Sequence, residues 1–314
     1  MKTIKITPRG YCHGVVNAIN TIMKLTEMST EKKITILGMV IHNKQVVEYF
    51  EHKGIRTLHN PSKTREELLD EIDDGIVVFT AHGVSQQVRQ KAIDKGLEII
   101  DTTCTDVVKS HTVVAELIQD GYDIIYIGKH NHPESDGAKG ISPCVHVVET
   151  IEEVQELHLT NPKVALTNQT TMSLYDIYQI AEEARVLYPN IYFVDEICNA
   201  TRIRQEAVRN ADQTIDHIIV VGDTMSNNSQ HLAYTALAYA NIPATLIESL
   251  DELDVKLLMN VAVVGVTSGA STPTQVTNEV IAFLQQFDPK DSTTHHPKSM
   301  ITTETLLERK STRF

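Results

Sequence analysis

The sequence predicts an α/β protein built as a trefoil: three pseudo-threefold-related units, each a mainly parallel sheet flanked by helices, around a central cavity. Three observations predict it. Cys12, Cys104 and Cys198 each stand between an apolar strand-like run and an amphipathic helix-like run, 92 and 94 residues apart. Gly38, Gly128 and Gly222 each close an apolar run and lie 90 and 94 residues apart, the same period. Between these markers short β-branched runs alternate with helical patterns, which is the signature of a parallel sheet covered by helices. One period shared by two independent features marks an internal threefold repeat with one thiol per unit.

The expected units are residues 13–103, 104–197 and 198–286, the last completed by 1–12, with a polar C-terminal tail at 287–314. At the chain start Ile4 and Ile6 alternate in a short strand and Cys12 follows; in the first unit Val15, Val16, Ile19, Ile22 and Met23 fall at helical spacing. Strand runs end in Gly38 and in Thr80-Ala81-His82-Gly83, with a helix through Val46, Val47 and Phe50 and a charged helix near Glu66 to Glu71. The second repeats the plan. Leu97 to Ile100 leads to Cys104, Ile124 to Gly128 leads to His130-Asn131-His132-Pro133-Glu134, and Val164 to Thr167 ends in Asn168-Gln169-Thr170-Thr171. In the third, Ile191 to Val194 feeds Cys198, Ile218 to Gly222 leads to Ser226-Asn227-Asn228, and the run Val261 to Gly265 ends before Ser268-Gly269-Ala270-Ser271. Ligands of open α/β sheets sit outside the carboxyl ends of the strands, and here those ends carry the polar groups.

Composition narrows the function. At 314 residues the chain is longer than one core usually supports, and 41% hydrophobic residues suffice for real cores. A net charge of −13 with a pI near 5.5 argues against nucleic acid or an anionic membrane as partner, so an anionic ligand should be small. The first residues do not read as a signal peptide and no apolar run approaches roughly 18 residues, so a cytoplasmic protein is expected. Four cysteines far apart in such a reducing compartment are better read as metal ligands, catalytic groups or buried fillers than as disulfides.

Each cysteine alone would more often be a core residue, because free Cys packs as a small hydrophobe. Their shared strand-to-helix position reverses that for the set, since a helix start favours a negatively charged ligand atom. Cys144, outside the pattern, is read as structural. Three thiolates from separate units suit either a catalytic zinc with an open position or an iron–sulfur cubane with one iron open to a substrate oxygen. A zinc-dependent hydrolase and a non-catalytic metabolite-binding trefoil are therefore the competing readings. His42, His82 and His132 would singly be caps or core residues, but with Ser226, Asn228 and Ser271 on the same strand ends they can satisfy phosphate oxygens without a P-loop. Glu134, placed in a loop after Pro133, can hold or deliver a proton if enclosed.

The combination of Arg-Gly-Tyr-Cys-His-Gly-Val at 9 to 15, Val-Ile-His-Asn at 40 to 43, Ala-His-Gly-Val-Ser at 81 to 85, Asp-Thr-Thr-Cys at 101 to 104, His-Pro-Glu at 132 to 134, Asn-Gln-Thr-Thr at 168 to 171 and Thr-Ser-Gly-Ala-Ser at 267 to 271 resembles the hydroxymethylbutenyl diphosphate reductase family, the LytB-type iron–sulfur reductases. The match runs in order from about residue 4 to residue 286. The resemblance implies the last oxidoreductase of the methylerythritol phosphate route to isoprenoids, which removes an allylic hydroxyl with two electrons to give isopentenyl and dimethylallyl diphosphates. It implies a 4Fe-4S cluster on Cys12, Cys104 and Cys198 with one open iron. It also implies diphosphate contacts from His42, His82, His132, Ser226, Asn227, Asn228 and Ser271, proton delivery by Glu134, and a hydroxyl from Thr170 beside the substrate. Ser226-Asn227-Asn228 departs from a Ser-Ser-Asn form at residue 227. Electrons would come from a ferredoxin or flavodoxin, since no G-x-G-x-x-G fingerprint is present.

Overall fold

The computed structural model describes residues 1–28 and 31–307. The chain forms two compact units. One is built from Gly14–Val40 and Ile55–Thr201, the other from Met1–His13, Ile41–Gly54 and the chain from Arg202 onward.

The first of these carries two four-stranded sheets, every pairing parallel. One has β2 (Ile34–Leu37), β3 (Arg56–Leu58), β4 (Ile76–Phe79) and β5 (Glu98–Asp101) in the order β3-β2-β4-β5. The other has β6 (Asp123–Ile127), β7 (Val145–Val148), β8 (Val164–Asn168) and β9 (Tyr192–Phe193) in the order β7-β6-β8-β9. Their helices are α1 (His13–Glu27), α3 (Arg65–Leu69), α4 (Gln86–Asp94), α5 (Thr105–Gln119), α6 (Pro133–Lys139), α7 (Ile151–Glu156) and α8 (Leu174–Leu187). A sheet buried on both faces needs apolar residues on both faces of a central strand, and β6 supplies them from Ile124 to Ile127. Ile125 and Ile127 join Leu166, Ile177 and Ile180 on one face, while Ile124 and Tyr126 join Val114, Leu117 and Ala165 on the other.

The second unit repeats the topology with a strand borrowed from the chain start. It has β1 (Lys2–Lys5), β10 (His217–Val221), β11 (Ala244–Ile247) and β12 (Val263–Ser268), again all parallel, in the order β1-β12-β10-β11. Its helices are α2 (Lys44–His52), α9 (Asn199–Arg209), α10 (Asn227–Tyr239) and α11 (Thr274–Gln286), and Ile218 and Val220 pack on Val208, Leu232 and Ala236. In all three sheets the strand before a cysteine is the edge strand beside the last internal one. The glycines that set the sequence period have one job. Gly38, Gly128 and Gly222 each donate their N–H to the carbonyl that closes the outer strand, at Leu58, Val148 and Ile247.

The strand expected to stop at Gly265 continues to Ser268, because β1 pairs with it as far as Val266 and β10 as far as Ser268. Glu134 is not in a loop: it lies in the first turn of α6, where Pro133 takes the position that needs no N–H donor. The polar segment after Gln286 packs on its own unit as far as it is described. Phe287 is buried and stacks on the His295 ring at 4.9 Å, Ser299 bonds Glu279 and Asp251, and Leu306 is buried. The remainder of the expected tail lies outside the described residues. Among the described residues no helix is long and apolar enough to cross a membrane.

Two left-handed glycines separate steric clash from backbone strain. A Cβ on Gly75, at φ +102°, would stand 2.3 Å from the Lys33 carbonyl oxygen, whereas one on Gly96, at φ +70°, meets nothing within 4 Å. Gly96→Ala should cost about 1 kcal/mol from backbone strain alone. Gly75→Ala should cost roughly 2–3 kcal/mol or more, because the β2 to β4 junction must also shift. Thermal melts of the two variants check the order.

Candidate active site

Parallel strands send all their carboxyl ends to one edge of a sheet, and each such edge here begins a helix with a thiol. Cys12 directly precedes α1, Cys104 is the N-cap residue of α5 with no side-chain cap bond, and Cys198 directly precedes α9. All three are half-buried, and none forms a disulfide. Each backbone N–H makes the same bond, to a carbonyl in the loop that ends the neighbouring strand. Cys12 N donates to Ala270 O at 3.1 Å, Cys104 N to Ala81 O at 3.0 Å and Cys198 N to Thr170 O at 3.1 Å. Cys144 sits at the amino end of β7, the opposite end of its sheet from Cys198, and its carbonyl pairs with Ile124 N.

The donor set fits a cluster. Three thiols stand at helix starts, where free N–H groups and the dipole favour an anionic ligand atom. Beside Cys104 the chain keeps space open, since a Cβ on Gly14 would come 2.5 Å from its sulfur. Cys198 Sγ accepts from Thr201 N at 3.4 Å and lies 3.2 Å from Thr201 Oγ1, which orients it.

In the unit holding Cys104 and Cys198, the expected His82, His132, Glu134 and Thr170 gather at the strand ends. The rings of His82 and His132 meet edge to face with centroids 5.4 Å apart. His132 caps α6 by accepting Glu134 N at its Nδ1, 3.2 Å away, so a neutral ring carries its hydrogen on Nε2 as a donor. The Glu134 carboxylate is buried and takes both Thr170 N at 2.7 Å and Thr170 Oγ1 at 3.1 Å. Burial pushes this carboxyl up to about 7 against those two bonds, and the negative charge of Asp106 adds to the rise. Thr170 therefore joins the acid to the thiol loop, its amide and hydroxyl on Glu134 and its carbonyl on Cys198.

In the other unit Ser226, Asn227, Asn228 and Ser271 are all buried, with half-buried His42 beside them. Ser271 Oγ lies 3.0 Å from the His42 carbonyl and 3.2 Å from Ser226 Oγ, which in turn caps α10. Asn228 Oδ1 accepts Ala270 N, so the residue that holds Cys12 also holds Asn228. Asp223 ties the two sides of this cradle, accepting Lys44 N and Met225 N at 2.7 Å each.

Two residues behind the site were not expected from the sequence. Arg65 donates to Gly83 O at 2.7 Å and Thr80 Oγ1 at 2.9 Å, bracketing His82; burial lowers its guanidinium to about 10, opposed by Asp136. His111 on α5 contacts α6. A charged residue opening a short helix and a histidine next to the apolar face of another are both ordinary in sequence, so neither carried a signal.

Repeated parallel sheets with a thiol at each helix start, and a buried acid with imidazole, hydroxyl and amide side chains at the strand ends, define a class of α/β proteins equipped for a thiolate-held metal group and a small anion. The chain belongs to the LytB protein family, whose model matches residues 3–285. It is 45% identical over 315 residues to a Geobacillus kaustophilus protein named 4-hydroxy-3-methylbut-2-enyl diphosphate reductase, covering 100% of this chain and 99% of that one. A Bacillus licheniformis protein of the same name is 49% identical over 296 residues, 94% of each chain. The solved E-1-hydroxy-2-methyl-but-2-enyl-4-diphosphate reductase of Plasmodium falciparum superposes with a TM-score of 0.85 at 33% identity, over 91% of this chain and 88% of that one. Family membership implies an iron–sulfur cluster, and cysteines to hold one are present.

A carboxyl raised from 4.5 to about 7 binds its proton in the folded protein before the unfolded chain does. Its contribution to stability is therefore fully present below about pH 4.5 and lost as pH rises through about 7. Glu134→Gln, which keeps an acceptor for Thr170 N and cannot ionise, should melt higher than the parent at roughly pH 8 and lose that advantage toward roughly pH 5. A pH series of thermal melts measures it.

Proposed function

We propose that this chain is a 4-hydroxy-3-methylbut-2-enyl diphosphate reductase. It removes the allylic hydroxyl with two electrons and two protons, releasing water and giving isopentenyl or dimethylallyl diphosphate. The observation that carries this reading is the buried Glu134 carboxyl, pushed up to about 7 by burial and joined through Thr170 to the Cys198 loop. A proton donor of matched pKa beside a thiol ligand is what reductive loss of a hydroxyl requires.

Cys12, Cys104 and Cys198 would be the thiolate ligands of a 4Fe-4S cluster. When bound, the cluster supplies electrons and a Lewis-acidic iron without a protein ligand. The chain's own residues do the rest. His132 Nε2–H, His82, His42, Ser226, Asn227, Asn228 and Ser271 hold the diphosphate oxygens, so the anion is bound by imidazole, hydroxyl and amide donors rather than by a lysine-bearing loop. Thr170 orients the Glu134 carboxyl with its amide and hydroxyl. Glu134 gives its proton to the departing hydroxyl, and the buried surroundings that raise its pKa keep that proton at hand near neutral pH. A second proton, added to the allylic carbon framework, completes the isopentenyl or dimethylallyl product. We assign the electrons to a reduced ferredoxin or flavodoxin and the enzyme to the cytoplasm, where free thiols stay reduced.

Anaerobically purified protein should contain iron and acid-labile sulfide, and Cys12→Ser, Cys104→Ser and Cys198→Ser should each lose the visible absorption and the turnover. Cys144→Ser should keep both. Zinc in place of iron, or a cluster that depends on Cys144, would overturn the assignment.

A further inference from the structure

His111 has no part in the chemistry above, yet its ring contacts the backbone of Glu134, the residue that delivers the proton. It lies on α5, seven residues beyond Cys104. Its Nε2 is 2.9 Å from the backbone oxygen of Glu134. A carbonyl only accepts, so Nε2 carries the hydrogen and donates it. Burial holds the ring below its ordinary 6.5, opposed by that same bond, so it is neutral at neutral pH. The ring also takes the place of a side chain at Gly137 and lies at ordinary contact distance from Gly83. A Cβ on Gly137 would stand 2.5 Å from His111 Cε1, and one on Gly83 would stand 3.8 Å from the same atom. Gly137 is on α6 with Glu134, and Gly83 follows His82. A helix of seven residues does not hold its own conformation in water, so α6 keeps the position its packing gives it.

We infer that His111 is a positioning residue for proton delivery: its Nε2–H bond to the Glu134 carbonyl and its seat against Gly137 fix α6 so that the Glu134 carboxyl meets Thr170. This rests on the reductase reading. The groups that face the carboxyl are Thr170 from the loop after β8, Asp106 from α5 and Tyr126 from β6. His111 reaches only the backbone. It therefore acts on Glu134 through geometry and hydration and not through charge, and Gly137 is small because the imidazole occupies its side-chain space.

The test uses the holoenzyme. His111→Leu keeps bulk and loses the donor, and it should lower kcat between ~10- and ~100-fold with KM for the diphosphate changed less than about threefold. The cluster absorption should stay intact. His111→Gln, which returns an N–H near the position of Nε2, should recover most of the loss. Difference infrared spectroscopy should follow the protonated carboxyl band, identified by its disappearance in Glu134→Gln. In His111→Leu that band should titrate below its parent midpoint, as water reaches a displaced α6. Gly137→Ala is the second probe. Alanine favours a helix, yet here its methyl would push the ring off Glu134, and kcat should fall as in His111→Leu. Parent turnover of the diphosphate and its loss in Glu134→Gln check the underlying reading. With both observed, an unchanged kcat and unchanged carboxyl titration in His111→Leu refute the positioning role alone. So does equal loss in His111→Gln and His111→Leu, or full activity in Gly137→Ala.

Discussion

The structure depends on one hydrogen bond made three times. Each cysteine that begins a helix gives its N–H to the carbonyl of the loop closing the adjacent internal strand: Ala270 for Cys12, Ala81 for Cys104 and Thr170 for Cys198. A net contribution of about 1 kcal/mol per bond is small against a whole domain. Its importance is positional. The bond fixes where the helix starts relative to the strand end, and so places a sulfur beside the groups that follow the accepting residue. Those groups are Ser271 after Ala270 and His82 after Ala81; Thr170 itself serves in the third sheet. Repetition of this bond makes the thiols equivalent, while the differing neighbours let one sheet contribute an acid, another an imidazole and the last a set of hydroxyl and amide donors.

Burial then divides the labour. Glu134 is desolvated strongly enough to remain half-protonated near neutral pH, and its bonds to Thr170 are too few to reverse that. His132 spends its Nδ1 on the α6 cap, which leaves the other nitrogen as the donor. On the proposed assignment the site has a proton to give, and imidazole, hydroxyl and amide donors rather than lysines for an anion. A net charge of −13 is compatible with a diphosphate ligand for that reason.

Most of this was legible in the sequence because the marks are periodic. The cysteines and strand-ending glycines report topology directly, and the strand runs ending in Gly38, Gly128 and Gly222 match β2, β6 and β10. What the sequence hid was set by packing. Glu134 read as a loop residue because Pro133 before it looks like a break, although proline suits the first turn of a helix. The extension of β12 to Ser268 comes from two neighbours that pair with it, a non-local fact. Arg65 and His111 act through a guanidinium and an imidazole that reach carbonyls 18 and 23 residues away in the chain, and no local pattern announces such a reach.

The central claim is that three sulfurs, one from each repeat, share a single inorganic core and leave one of its metals for the substrate. Mössbauer spectroscopy of the iron-57 holoenzyme, with and without the allylic diphosphate, tests it most directly. The account predicts a 4Fe-4S spectrum in which one iron differs from the other three and alone changes its isomer shift when substrate binds. Four irons that ignore the substrate, or a protein that holds no such cluster, would contradict it.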